Sequence, residues 1–259
     1  PEGNMLRCFC LSLLVVTVSA GHPCTSFPAS LKQLDAGSGM VFGVSDSGQV
    51  FNWTGNEFLP VAGQQLAHVT VGPAGVWGVA KDNVVYKLQG TQWKTKTGQS
   101  LKQADAGGNA FLVGVNTNNI TVCLNNGFTS TRCTAVKFST IEGNFIYYSC
   151  GLRGCWAVSS DPTNNVFYRE NVNQTVCQGS SWTRVNGNMI KVEIGTDGTV
   201  FAVDSDGYLY RRSGISDVNP TGTGWDVQNY PLYISHATYD DGTLWFVAEN
   251  GVVLKCRVS

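Results

Sequence analysis

The hydrophobic and polar positions of this chain form one pattern that recurs six times. Each copy has an apolar segment that ends in small residues, a second apolar segment, a turn rich in Asp, Asn and Gly, and a third, shorter apolar segment. In the first copy these parts are residues 31–37, residues 40–44, the turn at residues 45–48, and residues 50–51. Short apolar segments separated by such turns are typical of antiparallel strands joined as hairpins. The pattern therefore predicts three or four strands in each copy.

One aligned position measures the length of the repeat. The residues at this position are Gly43, Gly78, Gly114, Ala157, Ala202 and Phe246, at spacings of 35, 36, 43, 45 and 44 residues. A repeat of roughly 40 residues with four strands is the signature of a propeller blade. We therefore predict an all-β fold, a six-bladed β-propeller.

The last blade lacks a fourth strand of its own in this pattern. The sixth copy reaches Ser259 after its third strand, and residues 24–28 precede the first copy without belonging to it. We predict that this N-terminal strand joins the last blade and closes the ring, because pairing removes an exposed sheet edge. Cys24 and Cys256 would then face each other.

The beginning of the chain predicts secretion. Arg7 precedes the apolar residues 8–19, and Ala20 ends a group of small residues suited to cleavage. This arrangement predicts a leader and signal peptide over residues 1–20 and a single propeller domain over residues 21–259. A membrane anchor is the alternative, but the apolar run is too short for a hydrocarbon core of roughly 30 Å. We expect an extracellular protein without membrane insertion.

The cysteines predict disulfides. Nine cysteines become seven when Cys8 and Cys10 leave with the signal peptide, and secretion favours their pairing. The repeat geometry favours the bridges Cys24–Cys256, Cys123–Cys177 and Cys150–Cys155. A bridge between Cys123 and Cys133 is an alternative that leaves Cys177 unpaired. The remaining Cys133 is either free or joins two chains into an oligomer.

Three sequons predict N-glycosylation, at Asn52, Asn119 and Asn173. Asn173 lies in a polar insertion and is the strongest candidate. Asn52 lies inside a predicted strand, which makes it the weakest.

Composition and motif content argue against nucleic-acid binding and catalysis. The formal net charge is −1 and only 14% of the residues are charged, so the electrostatic attraction that drives nucleic-acid binding is missing. The histidines are His22, His68 and His236, and they form no recognisable acid–base motif. A glycosidase-type pair of carboxylates is the one catalytic alternative. We predict a protein that is not an enzyme and has neither a cofactor nor a metal site.

Several phrases of the chain resemble the tectonin repeat. They are residues 72–79 (Gly-Pro-Ala-Gly-Val-Trp-Gly-Val), residues 83–87, Trp93, residues 101–108 and residues 209–214. The resemblance extends over essentially the whole predicted mature chain. It implies a tachylectin-like propeller that binds N-acetylglucosamine-type sugars and bacterial surface polysaccharides, such as lipopolysaccharide and peptidoglycan, in innate defence or egg protection. It leaves calcium open as a cofactor, although the chain has no D-x-D-x-D-G loop.

Polar turns are the candidates for sugar binding. Lectin sites combine an aromatic ring, which packs on the apolar face of a sugar, with polar side chains that bind its hydroxyl groups. The turns between second and third strands lie on one face of a propeller. The candidates on these turns are Asp46, Asp82, Asn118, Asn165, Asp206 and Asn250. Asp35 and Asp105, which recur late in the first strands of blades one and three, are a second candidate pair.

Each candidate also has a structural interpretation. Asp and Asn are ordinary turn formers. Trp77, Trp156 and Trp245 stand where other copies have Phe, which favours packing between blades over sugar contact. The alternative function is a structural or protein-binding propeller of the egg coat or extracellular matrix.

Overall fold

A computed structural model describes residues 15–17, 23–173 and 176–258. The rest of the predicted signal peptide, His22 and two residues of the third sequon, Gln174 and Thr175, lie outside the described residues. The prediction of a signal peptide over residues 1–20 therefore stays a prediction.

Antiparallel strands dominate the described chain. In chain order they are β1 (Val15–Thr17), β2 (Pro23–Phe27), β3 (Gln33–Gly37), β4 (Met40–Val44), β5 (Val50–Trp53), β6 (Phe58–Val61), β7 (His68–Gly72), β8 (Gly75–Val79), β9 (Val85–Gln89), β10 (Gln92–Lys96), β11 (Gln103–Asp105), β12 (Leu112–Val115), β13 (Ile120–Leu124), β14 (Ser139–Gly151), β15 (Gly154–Ser159), β16 (Asn165–Arg169), β17 (Trp182–Asn188), β18 (Lys191–Ile194), β19 (Val200–Val203), β20 (Leu209–Ser213), β21 (Gly224–Gln228), β22 (Ile234–Asp240), β23 (Thr243–Ala248) and β24 (Val253–Arg257). A short helix, α1 (Asn126–Thr129), follows β13. No helix in the described ranges is long and apolar enough to cross a membrane.

The strands form blade-like sheets that follow the sequence repeat. β3 to β6, β7 to β10 and β18 to β21 are four-stranded sheets. β11 to β17 form one longer sheet, because the first half of β14 pairs with β13 and its second half pairs with β15. β22 to β24 are extended by β2 and β1. We number the sequence repeats with their strands as units one to six, dividing β14 between units three and four.

The N-terminal strand pairs with the last strand of the chain. Cys24 of β2 lies opposite Cys256 of β24, and their Cα atoms are 4.1 Å apart in a disulfide. β1 pairs with the other edge of β2. Strand β2 therefore takes the place of a fourth strand beside β24, with β1 outside it.

The first strand of each unit lies beside the first strands of its neighbours. The neighbouring pairs are β3 and β7, β7 and β11, β11 and β14, β14 and β18, β18 and β22, and β22 and β3. The apolar core is divided into clusters that each join two consecutive units. Trp77, Trp156 and Trp245 are at most 2% exposed and belong to three of these clusters. The prediction that they pack between units is confirmed.

The disulfides follow the favoured pairing. Besides the bridge at β2, the structure contains Cys123–Cys177 and Cys150–Cys155. The alternative bridge from Cys123 to Cys133 is wrong. Cys133 is exposed and free, and its use in an oligomer stays a prediction.

Candidate functional site

The turns between second and third strands share one backbone design in all six units. In each turn, the N–H of the fourth residue donates a hydrogen bond of 2.8–3.2 Å to the carbonyl oxygen of the first. The fourth residue has a positive φ of 48–95°. These residues are Gly48, Asn83, Asn119, Asn164, Gly207 and Gly251. Glycine and asparagine tolerate this left-handed conformation best, which explains the turn chemistry of the sequence.

The same residue connects each unit to the next. Its carbonyl oxygen accepts a backbone hydrogen bond of 2.8–3.1 Å from a residue just before or at the start of the next unit's first strand. The donors, in the order of the turns, are Leu66, Leu101, Phe145, Met189, Ile234 and Leu31. The last pair joins Gly251 of unit six to Leu31 of unit one. We call each pair of turn residue and donor a junction.

Some predicted sugar-binding residues stabilise these turns. The Oδ1 atom of Asp82 accepts a hydrogen bond of 3.2 Å from the Val84 N–H. The Oδ1 atom of Asn250 accepts one of 3.1 Å from the Val252 N–H. Such side-chain bonds to the backbone are the usual reason for Asp and Asn in turns. The repetition of these residues thus has a structural cause, whatever else they bind.

The structure places the six turn candidates at different turn positions. Asp82, Asn118, Asp206 and Asn250 directly precede the left-handed residue, Asp46 lies two residues before it, and Asn165 follows it. Asn165 is half-buried and the other five are exposed. Asp46 and Asn250 line the same cavity, whereas Asn118 lines a separate cavity of about 520 Å³ between units two and three.

Asp35 and Asp105 do not lie on this surface. They are only 6% and 5% exposed. The Oδ2 atom of Asp35 accepts hydrogen bonds from Thr70 Oγ1 at 2.8 Å and from the Val71 N–H at 2.7 Å. The Oδ1 atom of Asp105 accepts one from the Cys150 N–H at 3.1 Å. The hypothesis that they bind sugar is therefore corrected: these carboxylates are buried and hold the first strands of neighbouring units together.

Carboxylates and hydroxyls alternate at this position around the units. The residues, from unit one to unit six, are Asp35, Thr70, Asp105, Ser149, Glu193 and Thr238, and all are buried. We call them the acid–hydroxyl ring. Ser149 Oγ lies 3.0 Å from oxygens of both Asp105 and Glu193. Because Ser149 has a single hydroxyl proton, a protonated carboxyl group completes this arrangement.

Burial explains why the ring can hold protons near neutral pH. It raises the pKa of Asp35 to about 6, against the opposing hydrogen bonds. It raises the pKa of Asp105 to about 7, and the charge of Asp35 adds to this effect. It also raises the pKa of Glu193 well above its usual value. Removal from water disfavours the charged form of a carboxyl group, so the ring carries less negative charge than three exposed acids would.

A cavity of about 630 Å³ opens beside the junctions of units six and one, and we call it the channel mouth. His68, Tyr147 and His236 line it, two residues before the acid–hydroxyl ring. Their ring centroids are 6.2–6.5 Å apart, so they form a triangle. The Tyr147 hydroxyl donates to the Glu193 carboxylate and lies 2.9 Å from His236 Nε2. Three lysines also line the mouth: Lys32, Lys102 and Lys191.

The two histidines of the mouth are neutral. Burial lowers the pKa of His68 to about 3, and the positive charges of Lys191 and Lys32 lower it further. Burial, together with Lys191, lowers the pKa of His236 well below its usual value. Both ring nitrogens of His68 and Nδ1 of His236 are buried without a hydrogen-bond partner in the described chain. Unsatisfied buried polar atoms are uncommon in native proteins, and an ordered water or an ion is a usual partner of such atoms.

The side chains of the described residues form no cluster of metal ligands. No group of three or more His, Cys, Asp or Glu side chains within the described ranges is placed to hold a metal ion. The calcium that the family resemblance leaves open therefore has no acidic ligand cluster there.

One junction differs from the other five in its exposed side chains. Tyr208 follows Gly207, and Tyr233 precedes Ile234. The two tyrosines are 49% and 57% exposed. Their ring centroids are 6.0 Å apart and their planes meet at 74°. We call this pair the aromatic corner.

The aromatic corner is held in place by its turn. Asp204 Oδ1 accepts hydrogen bonds from the N–H groups of Asp206 and Tyr208 at 3.0 and 2.9 Å. A Cβ atom on Gly207 would lie only 3.0 Å from Cβ of Tyr233, so glycine allows the close approach of the second tyrosine. The side chain of Asp206, two residues before Tyr208, is exposed.

The repeat pattern did not predict the aromatic corner, because the residues that face each other across a junction belong to different copies of the repeat. At the other junctions the equivalent pairs are Gln49 and Gln65, Val84 and Ser100, Ile120 and Asn144, Asn165 and Asn188, and Val252 and Ser30. None of these pairs is aromatic. The signal was thus present in the sequence, but it depends on pairs that only the fold brings together.

The sequons occupy three kinds of environment. Asn52 is half-buried within β5. Asn119 is the left-handed residue of the third turn, and its side chain accepts a hydrogen bond from Lys102. Asn173 is exposed and stays the strongest prediction for glycosylation.

The chain matches one protein-family model and is similar in sequence to two known proteins. The family model described as "Tectonin domain" matches residues 30–249. The protein named "Fish-egg lectin" from Cyprinus carpio is 38% identical over 239 residues, which cover 90% of this chain and 98% of that protein. A "Tectonin beta-propeller repeat-containing protein" from Drosophila melanogaster is 28% identical over 101 residues, or 36% of this chain and 7% of that protein.

Solved structures of low sequence identity share the fold. Virginiamycin B lyase from Staphylococcus aureus matches with a TM-score of 0.57 at 13% identity, covering 95% of this chain and 94% of that chain. YCF48 from Cyanidioschyzon merolae matches with a TM-score of 0.54 at 12% identity, covering 92% of this chain and 83% of that chain. At such identities the similarity shows a common propeller-like architecture alone.

Proposed function

This chain belongs to the tectonin family, and on that premise we propose that it is a secreted lectin for N-acetylglucosamine-type sugars and bacterial surface polysaccharides. Support comes from the curated relative, whose name denotes a lectin and whose whole length is matched. The protein binds these glycans without chemical turnover, in innate defence or egg protection. Lipopolysaccharide and peptidoglycan are the surfaces we propose.

The proposal includes a six-bladed ring. The six units, the contact of β22 with β3 and the junction from Gly251 to Leu31 support a closed ring of blades. Strand β2 closes it as the fourth strand of the last blade, where the bridge from Cys24 to Cys256 locks it to β24. A ring leaves no long sheet edge exposed.

The aromatic corner is the observation that carries the sugar site. The apolar face of a pyranose packs on one tyrosine ring, while the methyl of an N-acetyl group packs on the other, because the two rings meet at 74°. The carboxylate of Asp206 accepts hydrogen bonds from sugar hydroxyls beside them. An aromatic pair together with a carboxylate is the combination of groups that sugar sites use.

The other turn candidates give weaker contacts along the same face. Asp46, Asp82, Asn118, Asn165 and Asn250 lack an aromatic pair at their junctions. We propose that they contact further residues of a long polysaccharide. A single sugar site on this face should bind at about −4 kcal/mol, which is a millimolar dissociation constant, and several sites on one polymer raise avidity by roughly 10²–10⁴.

A glycan array with purified mature protein tests the function, and variants test the site. Tyr233→Ala should lower affinity for N-acetylglucosamine oligomers about fivefold, since a stacking contact is worth about 1 kcal/mol. Gln65→Ala is the matched control, because Gln65 occupies the same position at the first junction. Saturation-transfer NMR should show the methyl of the N-acetyl group close to protein aromatic protons.

The possible outcomes distinguish a failure of the lectin proposal from a failure of the aromatic corner as its sugar site. No glycan bound by the wild type would refute the lectin proposal and favour a structural or protein-binding propeller. Glycan binding that Tyr233→Ala and Gln65→Ala weaken equally would keep the lectin and refute this site.

Secretion is tested separately. Expression of the full chain in a secretory host should release a protein whose N-terminal residue lies near Gly21. Retention in the cell with residues 1–20 uncleaved would contradict the signal peptide.

A further inference from the structure

The channel mouth is chemically unlike the aromatic corner. It joins cationic side chains from separate units with buried nitrogen atoms that lack partners. We propose that the mouth is a binding site for a compact oxyanion, a phosphate or carboxylate group. This inference does not depend on the sugar site.

The lysines converge although the chain as a whole is nearly uncharged. Lys32, Lys102 and Lys191 come from units one, three and five and line one cavity. The Lys191 ammonium donates to the carbonyl oxygen of Ser235, which also lines the mouth, and the Lys102 ammonium donates to the Asn119 side chain. Each ammonium still has further protons for a ligand.

The inner end of the mouth lacks a hydrogen-bonding partner. Neither ring nitrogen of His68 is bonded, although both are shielded from solvent. His236 is 1% exposed, and its Nδ1 is also without a partner in the described chain. An imidazole N–H there would donate to an anion oxygen, and the lysines would neutralise the anion's charge. A cation would instead meet three ammonium groups.

The negative groups nearby limit the size of the ligand. Asp46 and Glu249 line the outer part of the same cavity and are exposed. They repel a polyanion that spreads over the rim. Below the mouth, the Glu193 carboxyl group is hydrogen-bonded to the hydroxyls of Tyr147 and Ser149. A single phosphate or carboxylate group fits this distribution of charge better than a polyanion does.

Isothermal titration of the mature protein with inorganic phosphate, at constant ionic strength, tests the proposal. We expect saturable binding to one site, weakened at least tenfold in the double variant Lys32→Gln/Lys102→Gln. Both lysines retain solvent contact, so folding should survive. Lys94→Gln is the matched control, since Lys94 is exposed on the outer strand β10, away from the mouth.

Further ligands identify the source of the anion. Glucose 6-phosphate and glucuronate should bind at the mouth, and glucose should not, if the anion is carried by a glycan. Binding of phosphate alone would assign the site to a free ion. Tyr233→Ala should leave phosphate binding unchanged, which keeps this result separate from the sugar site.

A second measurement needs no variant. Phosphate should protect Lys32 and Lys102 of the wild type from acetylation by an amine-reactive reagent, while Lys94 stays reactive. Absence of saturable phosphate binding to the wild type would overturn the proposal. An equal loss of phosphate affinity in Lys94→Gln and in the double variant would also overturn it. So would acetylation of Lys32 and Lys102 that phosphate does not slow.

Discussion

The acid–hydroxyl ring and the junctions are both repeated polar features, but burial gives them opposite roles. In the ring, the side chains themselves make the bonds between units, as Thr70 and Thr238 do with Asp35. At the junctions, the backbone makes those bonds, and the side chains that flank each junction, such as Tyr208 and Tyr233, are half-buried or exposed. Repetition therefore identifies a structural requirement in both places. The exposed side chains that break the repetition, Tyr208 and Tyr233, mark the proposed site.

The largest expected effect comes from breaking the ring. Asp35→Ala should lower the free energy of unfolding by about 3 kcal/mol or more, because it leaves the hydroxyls of Thr70 and Thr238 and a buried N–H without their acceptor. Urea unfolding measures this. Asp206→Ala, which removes an exposed carboxylate, is the control. Equal stability of the two variants would mean that the ring does not hold the units together.

The pH dependence of stability sharpens the same contrast. In the folded protein the pKa of Asp105 is raised to about 7, above its unfolded value of about 3.9. The folded state thus binds this proton more tightly, and ionisation of Asp105 destabilises it. The wild type should lose stability relative to Asp105→Asn as the pH rises from about 4 to about 7, by at most about 1.4 kcal/mol per pH unit. Urea unfolding of both proteins across this pH range measures the effect. A difference in stability between them that does not change with pH would contradict the raised pKa of Asp105.

A smaller effect is expected from the backbone of a junction. Gly207→Ala should cost about 1–2 kcal/mol of unfolding free energy, because alanine is strained at a φ of 82° and its Cβ would press on Tyr233. Gly127→Ala is a control, since a Cβ at Gly127 meets no atom within 4 Å and its φ is ordinary. Thermal unfolding distinguishes the two, and similar melting temperatures would refute the role of the junction geometry.

The smallest effect on stability, with a measurable effect on binding, is expected at the exposed carboxylate. Asp206→Ala should change the free energy of unfolding by less than about 0.5 kcal/mol. It should weaken binding of N-acetylglucosamine oligomers only a few-fold, because the two tyrosine rings remain. Complete loss of binding would show that the carboxylate, and not the aromatic corner, dominates the site.

Local chemistry made much of the fold predictable. Alternating apolar segments and Gly or Asn turns require hairpins, so the strands and the repeat follow from short-range preferences. The pairing of Cys24 with Cys256 was predictable because the repeat leaves one outer strand missing and one spare segment. The all-β, propeller-like architecture follows from the same repeat.

The candidate site was less predictable, because exposure depends on neighbours that are distant in sequence. Asp35 and Asp206 are both acids near turns, yet one is buried by the adjacent units and the other is not. His68 and His236 recur at equivalent positions, but their sequence neighbours do not show that Lys191 lies close enough to lower the pKa of both.

By itself, the sequence determined the repeat, the strands, the turns and the pairing of Cys24 with Cys256, because these depend on local backbone preference and on the count of repeated parts. The tertiary structure alone decided which polar side chains are buried, which lysines meet at the channel mouth and which tyrosines form the aromatic corner. These properties arise between residues 25 to 203 positions apart, such as Tyr208 with Tyr233 and Asp35 with Thr238. Side chains so far apart in sequence have no short-range pattern that brings them together, and only the packing of one unit on the next does so.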